Sequence, residues 1–320
     1  MTAKPPTGTA PSRPRPLPAA VRLNRVAPVL FVLLWSSSFL AVRVGLRHMS
    51  PLLFVALRMV LAAAILSAAM VVLRRSWSMP PRDWLHCAVA GVLSQAILLM
   101  TAHVAMVRTE AAPIALIQTL NPLLTALLAW PLLGQGLRAS QVFGLFLGFA
   151  GVLLVLGAKA VHSQAELPGL LATAAGVCAL CGGTLYYGRF CRAVPPFLGA
   201  TVQMLACAAV CLVTALLLET PWTDWAAAAF AGIAWNAVGI SIGGMALYFL
   251  MLSQGTAARA TVNFYLIPGV TSLMTWALLG EAVSPLTLLG LLVASTGCWL
   301  AGRNPAVAGT GASSEGASSP

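Results

Sequence analysis

Apolar residues in this chain come in runs of roughly 18 to 23, parted by short polar or basic stretches, each run long enough to cross a hydrocarbon core about 30 Å thick. Stretches such as Val89 to Val107 and Leu123 to Leu133 are apolar on both parities. That excludes the one-sided alternation of a transmembrane barrel strand. Backbone groups in such runs are satisfied in lipid only within helices. The pattern predicts an all-α polytopic membrane protein with ten transmembrane helices, at about 27–46, 51–73, 85–107, 111–133, 141–159, 168–188, 196–218, 227–252, 257–279 and 285–302. Residues 1–26 are rich in Pro, Ala, Thr and Arg, lack periodicity, and are followed by no small-residue cleavage site, so they read as a disordered basic arm. Residues 303–320, rich in Gly, Ala and Ser, read as a flexible tail. No connection is long enough for a soluble domain.

Composition agrees with lipid as the solvent. The chain is 59% hydrophobic and 8% charged, with a mean hydropathy of +0.90, against about 25% charged residues in ordinary soluble domains. A formal charge of +11 would suggest nucleic acid in a soluble protein, but here the basic residues are scattered between apolar runs, so no nucleic-acid surface is expected. They serve instead as topology signals. With the N-terminus placed in the cytoplasm, thirteen of the 18 Lys and Arg fall inside, Arg47, Arg108 and Lys159 fall outside, and Arg43 and Arg58 lie within spans. Both termini are therefore expected to be cytoplasmic, in an inner membrane. The seven cysteines sit mostly inside apolar runs; Cys178-x-x-Cys181 has no other ligand type beside it and reads as packing, not as a metal or redox pair.

An internal repeat organises the runs. Shifting the sequence by 146 residues aligns Ala111–Gly151 with Ala257–Gly297 without a gap, with thirteen identities in forty-one pairs. Pro122 meets Pro268, Thr125 meets Thr271, Trp130 meets Trp276, and Gly134, Gly144 and Gly151 meet Gly280, Gly290 and Gly297. The halves are read as 27–159 and 160–302. Five spans per half is an odd number, so the second copy must enter the membrane inverted, an architecture common to secondary carriers whose site lies near the midplane between the halves.

Trp35-Ser-Ser-Ser-Phe39 with Arg43, Pro51 through Arg58, the Pro122 and Pro268 spans, and Leu279-Gly280-Glu281 followed by Gly290 and Gly297 together resemble the drug/metabolite transporter superfamily, specifically its EamA-type members. The resemblance covers nearly all of residues 27 to 302. It implies a carrier, often an exporter, of small organic solutes such as amino acids, with a central cavity lined by spans 1, 3, 4, 6, 8 and 9. One departure is Gln135, where such proteins usually carry Glu in the first-half Gly-Glu turn; Glu281 keeps it in the second.

A carrier cavity needs a few convergent polar or aromatic groups in an apolar wall. Candidates from the first half are Trp35, Ser37, Gln95, His103, Gln118 and Asn121, and from the second Tyr186, Trp235, Asn236, Asn263 and Tyr265. Each also has a bland reading, an interhelical hydrogen bond that holds the bundle. Gln118 and Asn121, three apart, share a helix face. Arg58, about two turns into span 2, is a candidate either to snorkel to the outer surface or to form a gate that favours carboxylate-bearing solutes, whereas Arg43 is expected to snorkel to the outer surface. Pro122 and Pro268 are candidate hinges, their symmetric placement favouring that role over simple kinks. Gly144-x-x-x-Gly148 and Gly239-x-x-x-Gly243 permit close helix approach, first within the chain and alternatively in a homodimer.

All seven acidic residues fall at span ends, in loops or in the tail, which leaves His103 as the only ionisable candidate for proton coupling within a span besides the arginines. No metal site or cofactor is expected, and no nucleophile with its base converges, which argues against an enzyme. The expected partners are a small solute and the bilayer. A lipid or lipid-linked sugar flippase on the same scaffold is the competing reading, with a membrane-embedded enzyme more remote.

Overall fold

Helix starts are marked by proline, which has no N–H to leave unpaired in a first turn and whose fixed φ suits it. Pro51, Pro81 and Pro196 each open a helix, and Pro168 and Pro268 sit at second positions. The computed structural model describes residues 18–133, 139–162, 165–244, 247, 250–251, 263–281 and 284–302. The basic arm up to residue 17 and the tail from 303 lie outside the described residues.

The helices are α1 (Pro18–Gly45), α2 (Pro51–Val72), α3 (Pro81–Gly91), α4 (Ile97–Met106), α5 (Ala111–Gln118), α6 (Asn121–Leu133), α7 (Ala139–His162), α8 (Leu167–Phe190), α9 (Pro196–Leu218), α10 (Ala227–Ala234), α11 (Ile267–Leu279) and α12 (Pro285–Gly302). A π-helical stretch, Val92–Ala96, joins α3 to α4 in one rod, and a second, Trp235–Gly244, continues α10. Among the described residues the only extended pairing is a Met49–Thr223 bridge between two loops.

Five of these rods are long and apolar enough to span a membrane: Val26–Gly45, Pro51–Val72, Pro81–Met106, Leu167–Phe190 and Pro196–Leu218. Five shorter apolar helices, Ala111–Thr125, Val142–Gly157, Ala227–Ser241, Ile267–Leu279 and Pro285–Gly297, occupy the remaining predicted spans. Outward faces of the long rods and the shorter helices carry Phe146, Leu153, Leu217 and Leu292, each more than 60% exposed, a surface stable only in hydrocarbon. Trp77 stacks on Trp84 at one end of the bundle, and Trp222 and Trp225 lie at the other, as interfacial tryptophans do.

Packing obeys the repeat. Moving α1 by 146 residues lands on α8, α2 on α9, the α3–α4 rod on α10 and its π-helical continuation, α6 on α11, and α7 on α12. The main helix pairs map onto one another in the same way. α1 packs on α10, the second π-helical stretch and α11, as α8 packs on α3, the first π-helical stretch and α6. The halves also meet each other through α5 with α11 and through α7 with α12, the second a pair that the shift exchanges with itself.

Glycines make the α7–α12 contact possible. A Cβ on Gly297 would lie 2.6 Å from Gly144 O and Gly148 N, and one on Gly151 would lie 2.6 Å from Gly290 O and Ala294 N. The two contacts are related by the same shift of 146, so this interface is self-complementary. Gly144-x-x-x-Gly148 therefore serves packing within the chain.

Chain direction establishes the inversion. The ends of α1 and α4 and the start of α5 converge at Arg43, Met106 and Ala111. The end of α8 instead meets the start of α3, through Tyr186 and His86. α8, the counterpart of α1, thus runs the opposite way. The core between them is filled by Phe31, Phe54, Met106, Ile114, Leu116, Ile117 and Leu170, all buried.

Candidate functional site

Each half departs from regular helix twice, and at equivalent places. Val92–Ala96 shifted by 146 becomes 238–242, inside the π-helical Trp235–Gly244. The turn at Thr119–Leu120 that separates α5 from α6 becomes 265–266, inside the 3-10 stretch Asn263–Leu266 that precedes α11. π-helical turns and interrupted spans leave backbone polar groups outside the regular ladder, which lipid does not tolerate unless they are buried in protein or line a cavity.

Most of the predicted polar residues lie at these four breaks. Gln95 is on the first π-helical stretch, and Trp235 and Asn236 open the second. Gln118 ends α5 and Asn121 begins α6. Asn263 and Tyr265 fall on the 3-10 stretch, and their side chains lie outside those described. Pro122 and Pro268 occupy second positions of the helices that resume after a break, so both mark where a span restarts instead of kinking a continuous one.

Three consecutive serines on α1 point in different directions because successive helix positions are about 100° apart. Ser36 Oγ donates to Ile267 O at 3.3 Å, tying α1 to the start of α11. Ser37 Oγ donates to Leu34 O at 2.6 Å and accepts from Trp235 Nε1 at 2.9 Å. Ser38 Oγ donates to Asn236 Oδ1 at 2.6 Å, while Asn236 Nδ2 donates to Gly232 O at 3.0 Å. Asn236 is fully buried and its amide is used on both sides, so it holds α1 against the second π-helical stretch. Trp35 packs with Phe31 and Phe264 in a three-ring cluster, centroids 4.9 to 5.3 Å apart.

The other half carries the counterpart contact. Cys181 Sγ lies 3.5 Å from Asn121 O and 3.2 Å from Asn121 Oδ1, which also accepts from Thr125 Oγ1 at 3.2 Å. Asn121 and Ile267 are equivalent under the 146 shift, so the residue before each repeated proline offers its carbonyl to the facing helix. Gln95 and Gln118 differ from the rest. Both are half-buried, and neither side-chain amide has a hydrogen-bond partner among the described residues.

Charge is concentrated at one end. Gly280, at φ +69°, ends α11 in the left-handed conformation that glycine alone adopts without strain. The turn brings Glu281 back over the bundle, where Oε1 receives Arg43 Nε at 2.5 Å and Oε2 lies 3.5 Å from the N–H of Ala111, at the start of α5. A second guanidinium nitrogen of Arg43 donates to Met106 O. Arg43 thus does not snorkel away: it joins the ends of α1 and α4 to the α11 turn, at 23% side-chain exposure against 10% for Glu281. The Leu-Gly-Glu motif was the visible signal for this pair; its partner was not identifiable from sequence. Gln135, the first-half counterpart of Glu281, lies outside the described residues.

The same end is tied through its loops. His48 Nδ1 donates to Asp224 Oδ2 at 2.8 Å, and Glu219 accepts from the N–H groups of Leu52 and Leu53 at 3.4 and 3.1 Å, covering the start of α2. The hydrogen bond from His48 holds the Asp224 carboxyl below its ordinary range.

Tyr186 lies away from the breaks. Its hydroxyl is 2.7 Å from His86 Nδ1, Arg82 Nε donates to His86 Nε2 at 3.2 Å, and the His86 ring stacks on Phe190 at 5.0 Å. This cluster closes the end opposite Arg43 between α3 and α8. Arg58 and His103 are buried between α2, α4 and α9, beside the apolar cluster that also holds Ala96 of the first π-helical stretch. Among the described residues no group of three metal-ligating side chains forms.

Each half of the chain matches the profile of the EamA-like transporter family, over residues 26–157 and 167–303. The chain is 26% identical over 277 residues to YedA, an uncharacterized inner membrane transporter of Escherichia coli, covering 85% of this chain and 89% of that one. It is 23% identical over 272 residues to the uncharacterized transporter YvbV of Bacillus subtilis, covering 83% and 87%. A protein of Streptantibioticus cattleyicolor described as a probable terminal-alkyne amino-acid exporter is 25% identical over 291 residues, covering 87% and 92%. Among solved structures, a chain 24% identical aligns with a TM-score of 0.61 over 88% of this chain and 95% of that one, a likeness of fold.

Proposed function

This chain belongs to the EamA-like transporter family and is a multi-pass membrane transporter, and we propose that it exports small organic metabolites of the amino-acid class across a bacterial inner membrane by alternating access. The observation that carries this reading is the gathering of the polar candidates at four repeat-related breaks. Two half-buried amides, Gln95 and Gln118, have no protein partner there and remain available to a solute. The aromatic rings of Trp35 and Trp235 supply apolar surface on α1 and at the start of the second π-helical stretch. Support for cargo class comes from the relative described as an amino-acid exporter.

Alternating access requires each end to open in turn. The Arg43–Glu281 pair and the His86–Tyr186 cluster are the two closures, one at each end of the bundle. Following the distribution of basic residues, the Arg43 end faces outward and both termini face the cytoplasm. Transport without catalysis agrees with the transporter family and the transporter relatives that the chain matches.

The test is counterflow in proteoliposomes: vesicles loaded with one unlabelled amino acid, exposed to trace label of the same compound, across a panel. Accumulation of label for any member, reduced in Gln118→Ala, is the expected result. Silence across the panel, with exchange of lipid-linked or other cargo, would refute the amino-acid reading.

A further inference from the structure

The junction of α2, α4 and α9 holds two buried polar side chains that the breaks do not use. Arg58 is 8% exposed and His103 is 3% exposed. Arg58 Nε and His103 Nε2 are both buried without a hydrogen-bond partner. His103 Nδ1 lies 2.7 Å from Leu99 O, an acceptor, so Nδ1 carries the proton of the neutral ring and Nε2 presents a lone pair.

The two groups are neighbours. Phe54, one turn before Arg58 on the same face of α2, sets its ring 5.8 Å from that of His103 on α4. The remaining wall is α9, through Cys207 and Cys211, whose sulfurs are 3.9 Å apart. The ion pairs among the described residues are Arg43–Glu281 and His48–Asp224, so no carboxylate of the described chain compensates Arg58.

A guanidinium buried among membrane helices without a counter-charge is costly and marks a functional position by default. The same junction holds an unmet guanidinium N–H and an unmet imidazole acceptor. We propose that Arg58 and His103 recognise the α-amino carboxylate of the transported solute, a reading that rests on the amino-acid cargo proposed above. The Arg58 guanidinium receives the carboxylate through paired N–H donors. Nε2 of His103 accepts a hydrogen bond from the α-ammonium, a group with donors only. A solute lacking either group leaves one partner buried and unmet, the situation in which sites discriminate most strongly.

The experiment uses the full chain in proteoliposomes. The amino acid that the wild type exchanges best is compared with its carboxamide, which lacks the carboxylate, and its N-acetyl derivative, which lacks the ammonium. The wild type is expected to prefer the amino acid over each analogue by about tenfold or more, the scale of one lost hydrogen bond to a charged group. Arg58→Gln is expected to lose discrimination against the carboxamide selectively, and His103→Phe against the N-acetyl derivative. Arg58→Lys and His103→Gln keep a cation and a polar group, and give weakened versions of the same selective losses if the first pair does not fold. Amino-acid exchange with wild-type discrimination retained in the folded variants would overturn the site and leave the cargo class standing. Exchange of other metabolites but no amino acid would refute the cargo class and this site together.

Discussion

The α7–α12 interface allows the sharpest test of how the two halves are joined. Gly297→Ala places a methyl 2.6 Å from two backbone atoms, Gly144 O and Gly148 N, whereas ordinary contact begins at 3.4 Å. The shortfall is 3.4 − 2.6 = 0.8 Å, against atoms that no rotamer change can move. α7 and α12 must separate, and overpacking of this kind typically costs about 1–3 kcal/mol. Replacing glycine by alanine in a helix returns about 0.5–1 kcal/mol, so the net loss lies between about 0 and 2.5 kcal/mol.

Gly157→Ala on the same helix α7 is the matched control: its Cβ meets nothing within 4 Å, so only the helix gain applies and the variant is expected to be neutral or slightly more stable. Gly151→Ala repeats the clash at the symmetric position, 2.6 Å from Gly290 O. Because both clashes are relieved by one separation of the same two helices, Gly151→Ala with Gly297→Ala should cost less than the sum of the singles. Thermal unfolding of the full chain in detergent, followed by loss of the monodisperse peak in size-exclusion chromatography, reads the order. A Gly297→Ala variant melting at or above the wild type, with Gly157→Ala no better, would refute the close-packing argument.

Breaking the Arg43–Glu281 pair by Arg43→Ala leaves a carboxylate 10% exposed without its partner, and should lower stability by about 2–4 kcal/mol. Charge reversal of both residues, scored by thermal melting and counterflow, should recover part of the loss; no recovery would mean that the contacts to Met106 O and Ala111 N matter more than the pair itself. Asp224 has a carboxyl held below its ordinary range by His48, so its contribution is present above about pH 4 and is lost as pH falls through the depressed value. Wild type and Asp224→Asn should therefore differ in melting temperature at pH 7 and converge below about pH 4; a gap that persists at low pH would exclude this linkage. Cys87 and Cys191, buried with sulfurs 3.7 Å apart, should cross-link on mild oxidation with copper phenanthroline in the purified protein. The bond would tie α3 to the end of α8 and slow counterflow, with Cys87→Ala immune; unchanged transport in the cross-linked protein would show that this end need not move.

Sequence alone determined the class and the plan. Lipid leaves a chain of this hydropathy almost no choice but helices, because each backbone group must be satisfied within its own segment, so run length and polarity sufficed to place the spans. The inversion followed from an odd number of spans per repeat, and the polar candidates were visible because polar residues inside apolar runs are few.

Which of those residues lie together was decided by tertiary structure. Ser37 reaches Trp235 and Ser38 reaches Asn236 across 198 positions, and Arg43 reaches Glu281 across 238, distances at which local pattern carries no information. Helical periodicity states which face a residue occupies, but in a chain apolar on every face it does not state which helix lies opposite. That is why Arg43 read as an interfacial charge until the Gly280 turn was seen to bring Glu281 over it. The π-helical stretches were likewise illegible, since one extra residue per turn leaves composition unchanged and appears only as geometry. Packing between inverted halves sets that geometry: it puts irregular breaks at repeat-related places in both halves and leaves Gln95 and Gln118 half-buried, with no partner among the described residues.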